Sequence, residues 1–597
     1  MTDDRSPRLI WTDSGAPRSG RFDDVYFSRD DGLAESRAVF LDGCGLPGAW
    51  AGRSRFTVAE LGFGTGLNIA ALLALWRRHR PPGGRLHIFT IEAFPLSREE
   101  AARALSAWPE LVEEAAALTA AWPAPTPGFH RLDLPDEWHV TLDLAVAPVE
   151  AALAQWQGRA DAWFLDGFAP AANPDMWTGA VLDAVAGRSI PGTRLATFTV
   201  AGEVRRGLQA AGFEVHKRPG HGRKRERLEA LIPGRHDPAA APRVAVIGGG
   251  IAGQATVRAL RALGAHPLLI EAEAPGAGAS GFPAALVTPR LDVGDLRLAA
   301  LFAQALTRAG ALYDRIPGAV IARGVVQLEQ AARDGGRFDV VAAQDLWPVG
   351  ALRRLDPDAA ASALGETTGV GGLDMAGALA VDPAAIRRVW LEDVESITAG
   401  VAGVAPDADG VRLSDAGGEL ILRAESVVIA SGWGTDALLP GLGLKPVRGQ
   451  ADWVAGPATR AVAWGGYAVP TAEGLLFGAT HDRDRTDVDT DDADTARNLA
   501  TLATRLPALA ARVRTAEASG RRAAIRATTR DRLPAAGPLG PGVFVLGGLG
   551  SRGFAMAPLL AEHVAALAVG APSPLPRDMA LRVDPARLAE RAGLSDR

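Results

Sequence analysis

Twice along the chain a short, nearly continuous apolar run gives way to a glycine cluster and then to a segment with apolar residues three and four apart. The first such unit runs from Phe56–Glu60 through Gly62-Phe63-Gly64-Thr65-Gly66 to a helical pattern from Leu67 to about Arg78. The second runs from Arg243–Ile247 through Gly248-Gly249-Gly250-Ile251-Ala252-Gly253 to a helical pattern ending near Leu263. Each opens an alternation of strand and helix, so the pattern predicts an α/β fold with two domains. Further strands are expected at Leu86–Ile91, Ala162–Leu165, Phe213–Lys217 and Arg227–Ile232 in the first half. In the second half they are expected at Pro267–Ile270, Ser426–Ala430 and Val543–Leu546, the last leading to a helix from about Pro558. Between the two units, residues 233–242 hold prolines and small residues that suit neither period. The boundaries that follow are 1–235, a linker at 236–242, and 243–597, with an α+β substrate subdomain inserted at roughly 300–375 and 441–530.

Composition narrows the chemistry. With 48% hydrophobic and 22% charged residues over 597 positions, the chain has the apolar content for large cores and lies far from the disordered balance. The net charge of −6 excludes a globally basic nucleic-acid binder while leaving local basic patches open. Cys44 is the one cysteine, so no intrachain disulfide, cysteine zinc site or iron–sulfur cluster can form, and no metal is expected. The polar N-terminus and the lack of about 18 consecutive apolar residues predict a soluble cytoplasmic protein without a membrane partner.

In the first half, glycine at 62, 64 and 66 lets the backbone approach a ligand, and Glu60 precedes the turn. The next strand ends at Glu92, where a carboxylate can accept both ribose hydroxyls of a nucleoside. This combination fits S-adenosylmethionine better than a dinucleotide. The strand Ala162–Leu165 delivers Asp166 to the ligand end of the sheet, where a carboxylate can orient an amine nucleophile and take its proton. Between Lys217 and Arg227 lie six Lys/Arg and one Glu, a turn suited to phosphates and equally to solvent.

In the second half, Gly248, Gly250 and Gly253 satisfy the dinucleotide pattern, and Glu271 ends the next strand, which favours FAD or NAD over NADP. Ser280 lies in a small-residue loop, Gly276 to Gly281, suited to close approach along the cofactor. The C-terminal segment Gly550-Ser551-Arg552-Gly553 leads to the helix from about Pro558, and a helix N-terminus there can stabilise charge on a reduced flavin, which selects FAD, and noncovalent FAD because Cys44 lies in the other half. Candidate partners for a substrate carboxylate are Arg448, Arg526, Arg530 and Arg552, with Arg526 or Arg552 preferred.

The chain resembles one family: the bifunctional tRNA 5-methylaminomethyl-2-thiouridine biosynthesis proteins. The resemblance is carried by Phe22–Ser28, Gly62–Asn68, Phe164–Pro170, Asn173–Trp177, Gly222–Glu226, Arg448–Gln450, Thr529–Pro534 and Gly550–Gly553. It implies a Rossmann-like class I methyltransferase domain followed by a glycine/D-amino-acid-oxidase-like FAD domain. The implied substrate is the wobble uridine of tRNA, first oxidised at the carboxymethylaminomethyl C–N bond and then N-methylated. Asp166, Arg526 and Arg552 are then expected in catalysis, and Asp24, Arg223, Lys224, Arg225 and Arg448 in substrate binding, in a working monomer. Two positions depart from the family: no acidic residue precedes Glu150 in the Ala145–Val149 stretch, and Phe282 stands where relatives usually carry Asn. A fused amine oxidase and small-molecule methyltransferase without a tRNA substrate is the alternative.

Overall fold

A computed structural model describes residues 6–13, 15–27, 31–222, 225–236 and 242–591, with side chains to 588. It divides into two compact units: Met1–Ala241 with Pro572–Arg577, and Pro242–Ala571 with Asp578–Arg597.

The first unit is built on eight strands: β1 (Arg55–Leu61), β2 (Arg85–Glu92), β3 (Gly128–Leu132), β4 (Val140–Val146), β5 (Ala160–Leu165), β6 (Ser189–Thr197), β7 (Glu214–Pro219) and β8 (Glu226–Leu231). Their order in the sheet is β7-β8-β6-β5-β1-β2-β4-β3. The five central strands are parallel, and β3, β7 and β8 pair antiparallel at the edges. Both faces are covered, which is why these strands read as continuous apolar runs. Phe56 and Val58 pack on one side with the helix Leu67–His79, while Ala59 and Leu61 pack on the other with Trp163 and Leu165. Chain order reverses around β1, which lies between β2 and β5, so a crevice opens beyond the C-terminal ends of these three strands.

The second unit carries a six-stranded nucleotide sheet: β9 (Arg243–Ile247), β10 (His266–Glu271), β11 (Ser396–Thr398), β12 (Ser426–Ile429), β13 (Ala535–Gly540) and β14 (Val543–Gly547), in the order β11-β10-β9-β12-β14-β13. Only β13 runs antiparallel. A ten-stranded sheet is inserted; it begins at Ala285–Val287, includes Val320–Leu328 and Gly372–Val381, and ends with Ala518–Thr528. It therefore starts before, and in its first portion runs past, the segment expected from the sequence.

One expectation needs correction. The C-terminal helix begins at Gly553, not at Pro558, and Pro558 lies inside it. Proline removes one backbone donor, but here the carbonyl it would have served, that of Phe554, accepts from the Tyr313 hydroxyl at 2.7 Å. The segment Gly550–Val569 also has the length and apolar content of a membrane span, yet it is core: 78% of its most apolar window is buried. It packs against the helices Ile251–Ala262 and Leu296–Asp314, and its Glu562 is buried in ion pairs with Arg258 and Arg308.

Candidate functional site

In the first unit, the crevice beyond β1, β2 and β5 is a cavity of about 1040 Å³. Its floor is the glycine turn. Gly62 has φ +83°, and a β-carbon there would lie 3.2 Å from both the nitrogen and Cα of Gly167, so this turn and the loop after β5 touch backbone to backbone. Gly66, at φ +80°, hands the chain to the helix Leu67–His79. Gly64 faces the ring of Tyr26, 3.2 Å from where its β-carbon would be.

Three carboxylates surround the turn with different tasks. Glu60 is fully buried; its register partner on β2, Thr90, donates to Oε2 at 2.7 Å, and Asn68 Nδ2 donates to Oε1 at 3.1 Å. Burial, reinforced by Asp166 and Glu92 and opposed by Thr90 and Asn68, pushes its pKa up to about 8. Glu60 is thus a support beneath the turn. Glu92 lines the cavity and accepts from the backbone of Gly64 and Phe94, each at 2.9 Å. Burial raises its pKa and these backbone donors lower it; each oxygen retains a lone pair for a ribose hydroxyl. Asp166 also lines the cavity, its Oδ1 accepting from Gly167 N at 2.8 Å and its Oδ2 from Asn68 Nδ2 at 2.7 Å.

An N-terminal segment forms one wall. Asp24 accepts from Ala169 N at 3.0 Å and from Val25 N at 2.9 Å, which fastens that segment to the loop after Asp166. Phe22 stacks on Phe168 with centroids 4.9 Å apart, Tyr26 meets Phe168 edge-on at 5.2 Å, and Arg21 sits over Phe94 at 4.2 Å. Asn68, Tyr26 and this aromatic group received no role from sequence; the signal available for Asn68 was its place in the first helical turn after the glycines. Glu150, in the first turn of the helix Val149–Gln155, lines the same cavity, so an acidic group is present at the edge where the Ala145–Val149 stretch has none.

The basic turn is a hairpin, β7 against β8, at the sheet edge. Lys217 pairs with Glu226 at 2.7 Å, and Arg227 and Arg218 pair with Glu229 at 2.7 and 3.5 Å. Arg225 is exposed, and Arg223 and Lys224 lie outside the described residues.

In the second unit, the glycine pattern is a set of close contacts. Gly248 has φ +109°, and a β-carbon there would lie 2.6 Å from the carbonyl oxygen of Ala430. One at Gly253 would lie 1.7 Å from Gly248 O, so the helix packs directly on the strand end. Glu271 accepts from the backbone of Gly249 and, at 2.8 Å, of Ala272. Ser280 Oγ accepts from Ile251 N at 3.0 Å and would lie 3.3 Å from a β-carbon at Gly250, placing its hydroxyl at the helix N-terminus where a pyrophosphate binds. A β-carbon at Gly553 would meet Ile251 at 3.1 Å, so two helix N-termini converge, preceded by a single turn that contains Gly550 and the exposed Ser551. These side-chain-free cradles with an acidic strand end fit FAD, as the cavity with Glu92 fits S-adenosylmethionine.

Arg552 donates to Thr288 through its carbonyl and its hydroxyl, each at 3.0 Å. Burial, with Arg290 and Arg337 nearby, pushes its pKa down to about 10, a concentration of positive charge suited to an anion. Arg526 donates to Thr480 O at 2.8 Å and lies across Gly449, where a β-carbon would be 1.9 Å from its Nη2. Burial lowers its pKa while Tyr467 and Asp482 raise it. Tyr467, pushed up to about 12 by burial, was missed from sequence. Arg448 corrects the expectation of substrate binding: it is fully buried and ion-paired with Asp494 at 2.7 Å, Asp487 at 3.2 Å and Asp482 at 3.5 Å. A guanidinium so enclosed by carboxylates braces the inserted sheet. Among the described residues no cluster of His, Cys, Asp and Glu could hold a metal ion.

Comparison with known proteins agrees with both halves. Residues 109–233 match a family described as S-adenosyl-L-methionine-dependent methyltransferase, and residues 243–567 one described as FAD dependent oxidoreductase. The tRNA 5-methylaminomethyl-2-thiouridine biosynthesis bifunctional protein MnmC of Caulobacter vibrioides is 56% identical over 97% of each chain, and that of Maricaulis maris 44% identical over 98% of this chain and 96% of its own. L-proline dehydrogenase from P. horikoshii shares the fold of the second half at 18% identity, with a TM-score of 0.50 over 59% of this chain and 98% of that one. On this sequence and fold, the chain belongs to the family of bifunctional tRNA 5-methylaminomethyl-2-thiouridine biosynthesis proteins.

Proposed function

We propose that the chain carries out two successive reactions on the wobble uridine of tRNA. The second unit oxidises the C–N bond of the 5-carboxymethylaminomethyl side chain; water splits the resulting imine into 5-aminomethyluridine and glyoxylate. The first unit then methylates the exposed amine, giving 5-methylaminomethyluridine, with or without the 2-thio group.

Bound FAD supplies the two-electron acceptor for the first reaction. Arg552 or Arg526 holds the substrate carboxylate, since a planar guanidinium donates two parallel bonds to it. Bound S-adenosylmethionine supplies the methyl group of the second reaction. There, Asp166 holds the amine and takes a proton from its ammonium form, because only the free amine has a lone pair for attack. The nitrogen lone pair forms the new N–C bond as the C–S bond breaks, and its electrons remain on sulfur. Asp24 orders the loop that follows Asp166. The turn carrying Arg223, Lys224 and Arg225 contacts tRNA phosphates. The working form is a monomer in the cytoplasm.

The observation that carries this reading is the place of Asp166: at the end of β5, lining the same cavity as Glu92 and the glycine turn. The test is to incubate the purified protein with hypomodified tRNA, with and without S-adenosylmethionine, and identify the wobble nucleoside by mass. The aminomethyl form without the methyl donor and the methylaminomethyl form with it are expected. Flavin reduction by free glycine but not by this tRNA overturns the reading.

A further inference from the structure

We propose that Asn68 is a positioning residue for methyl transfer, its amide holding one oxygen of Asp166 so that the remaining lone pairs of that carboxylate are presented to the amine.

The geometry is a closed set of hydrogen bonds. Ser36 Oγ donates to Asn68 Oδ1 at 2.7 Å, and Asn68 Nδ2 spends its two protons on Asp166 Oδ2 at 2.7 Å and Glu60 Oε1 at 3.1 Å. Asn68 is buried, and so is Ser36. A flipped amide would turn its carbonyl oxygen toward two carboxylates and its N–H groups toward a hydroxyl, so the orientation is fixed by its neighbours. Gly167 N holds the other Asp166 oxygen at 2.8 Å. The carboxylate is therefore gripped on each oxygen where it lines the cavity.

The amide also does something a hydrophobic residue could not. It separates Asp166 from Glu60, donating to both, and so favours a charged Asp166 beside a second carboxyl group. Burial pushes the pKa of Glu60 up to about 8, and the amide's hydrogen bond opposes that rise. Other ionisable groups lining the cavity are Asp24, Glu35, Glu92, Glu150 and Asp175, with Arg21 and Tyr26. They are common to the native enzyme and to any Asn68 variant, so a difference between the two isolates the amide.

The inference rests on the amine methylation proposed above. The test compares native enzyme, Asn68→Ala and the near-isosteric Asn68→Asp as full-length holoenzyme on tRNA bearing 5-aminomethyl-2-thiouridine. Rate is measured against pH, S-adenosylmethionine affinity by calorimetry, and folding by the thermal midpoint. For Asn68→Ala, kcat is expected to fall about 10- to 100-fold, less than the roughly 100- to 10,000-fold that a positioned acid–base group itself contributes, because Asp166 remains in place. The acid limb of its profile should move up by about one pH unit, because the charged carboxylate is then short of a donor. Methyl-donor affinity and flavin reduction should stay within about twofold of native. Asn68→Asp should shift the limb further in the same direction. A profile superimposable on native in both variants, or a loss confined to methyl-donor affinity, overturns the inference. If the native enzyme itself fails to methylate this tRNA, the functional reading falls, and the inference with it.

Discussion

The hydroxyl of Tyr313 donates to the carbonyl oxygen of Phe554 at 2.7 Å, one turn before Pro558, the residue whose missing N–H would otherwise serve that carbonyl. Both partners are buried. Tyr313→Phe leaves a buried acceptor without its donor and should destabilise the second unit by about 1–3 kcal/mol. Pro558→Ala restores a backbone donor, so the double variant should recover part of that loss. Urea midpoints at unchanged slope are the measurement, and equal midpoints for native and Tyr313→Phe would show that water or another donor replaces the hydroxyl.

The same hydrogen bond explains what sequence could not reveal. Strands β1, β2, β5, β9 and β14 were legible because both of their faces are buried, leaving apolar runs that end in glycine or acid. The start of the C-terminal helix was not, because a proline inside an apolar segment reads as a helix start, and its rescue comes from Tyr313, some 240 positions away. Arg448 failed for a related reason. Its three carboxylate partners lie 34 to 46 residues on, and no local pattern distinguishes a guanidinium that meets solvent from one enclosed by aspartates. Asp166 and Glu92 were readable as strand-end acids, whereas Asn68, which joins Asp166 to Glu60, stood in a family-like stretch at the start of a helix with nothing local to give it a role.

Asp166→Asn keeps the shape of the side chain and removes its charge. Methyl transfer should drop by at least about 100-fold. Oxidation of the carboxymethylaminomethyl form should continue at the native rate, and the aminomethyl nucleoside should accumulate. Mass analysis of the wobble nucleoside reads both steps at once, and loss of both would contradict the division of labour between the two units.

Glu60 has a pKa raised to about 8 in the folded protein from an ordinary value of 4.5. The folded state therefore holds a proton that the unfolded chain releases, so this group's contribution is complete below about pH 4.5 and is lost as pH rises through about 8. The first unit should lose stability over that interval relative to Glu60→Gln, which cannot ionise. Thermal midpoints of the two proteins from pH 5 to about pH 9 check this; parallel curves would mean that Glu60 does not titrate on unfolding.

Replacing Arg223, Lys224 and Arg225 together by Ala should weaken tRNA binding and flatten the dependence of log K on log salt by up to about 0.7–0.9 for each phosphate that is no longer neutralised. Lys217, Arg218 and Arg227 already have carboxylate partners, so their removal should matter less. Titrations at several salt concentrations distinguish the two sets.

At Gly449 the guanidinium of Arg526 and the carbonyl oxygen of Thr480 occupy the space that any side chain would need, with 1.9 Å between Nη2 and a β-carbon and 2.7 Å to the carbonyl oxygen. A methyl group at this position would dislodge the arginine from Thr480 without altering a single atom of it. Saturation mutagenesis of the oxidase half should accordingly reveal an intolerant site where chemistry alone gives no hint of one.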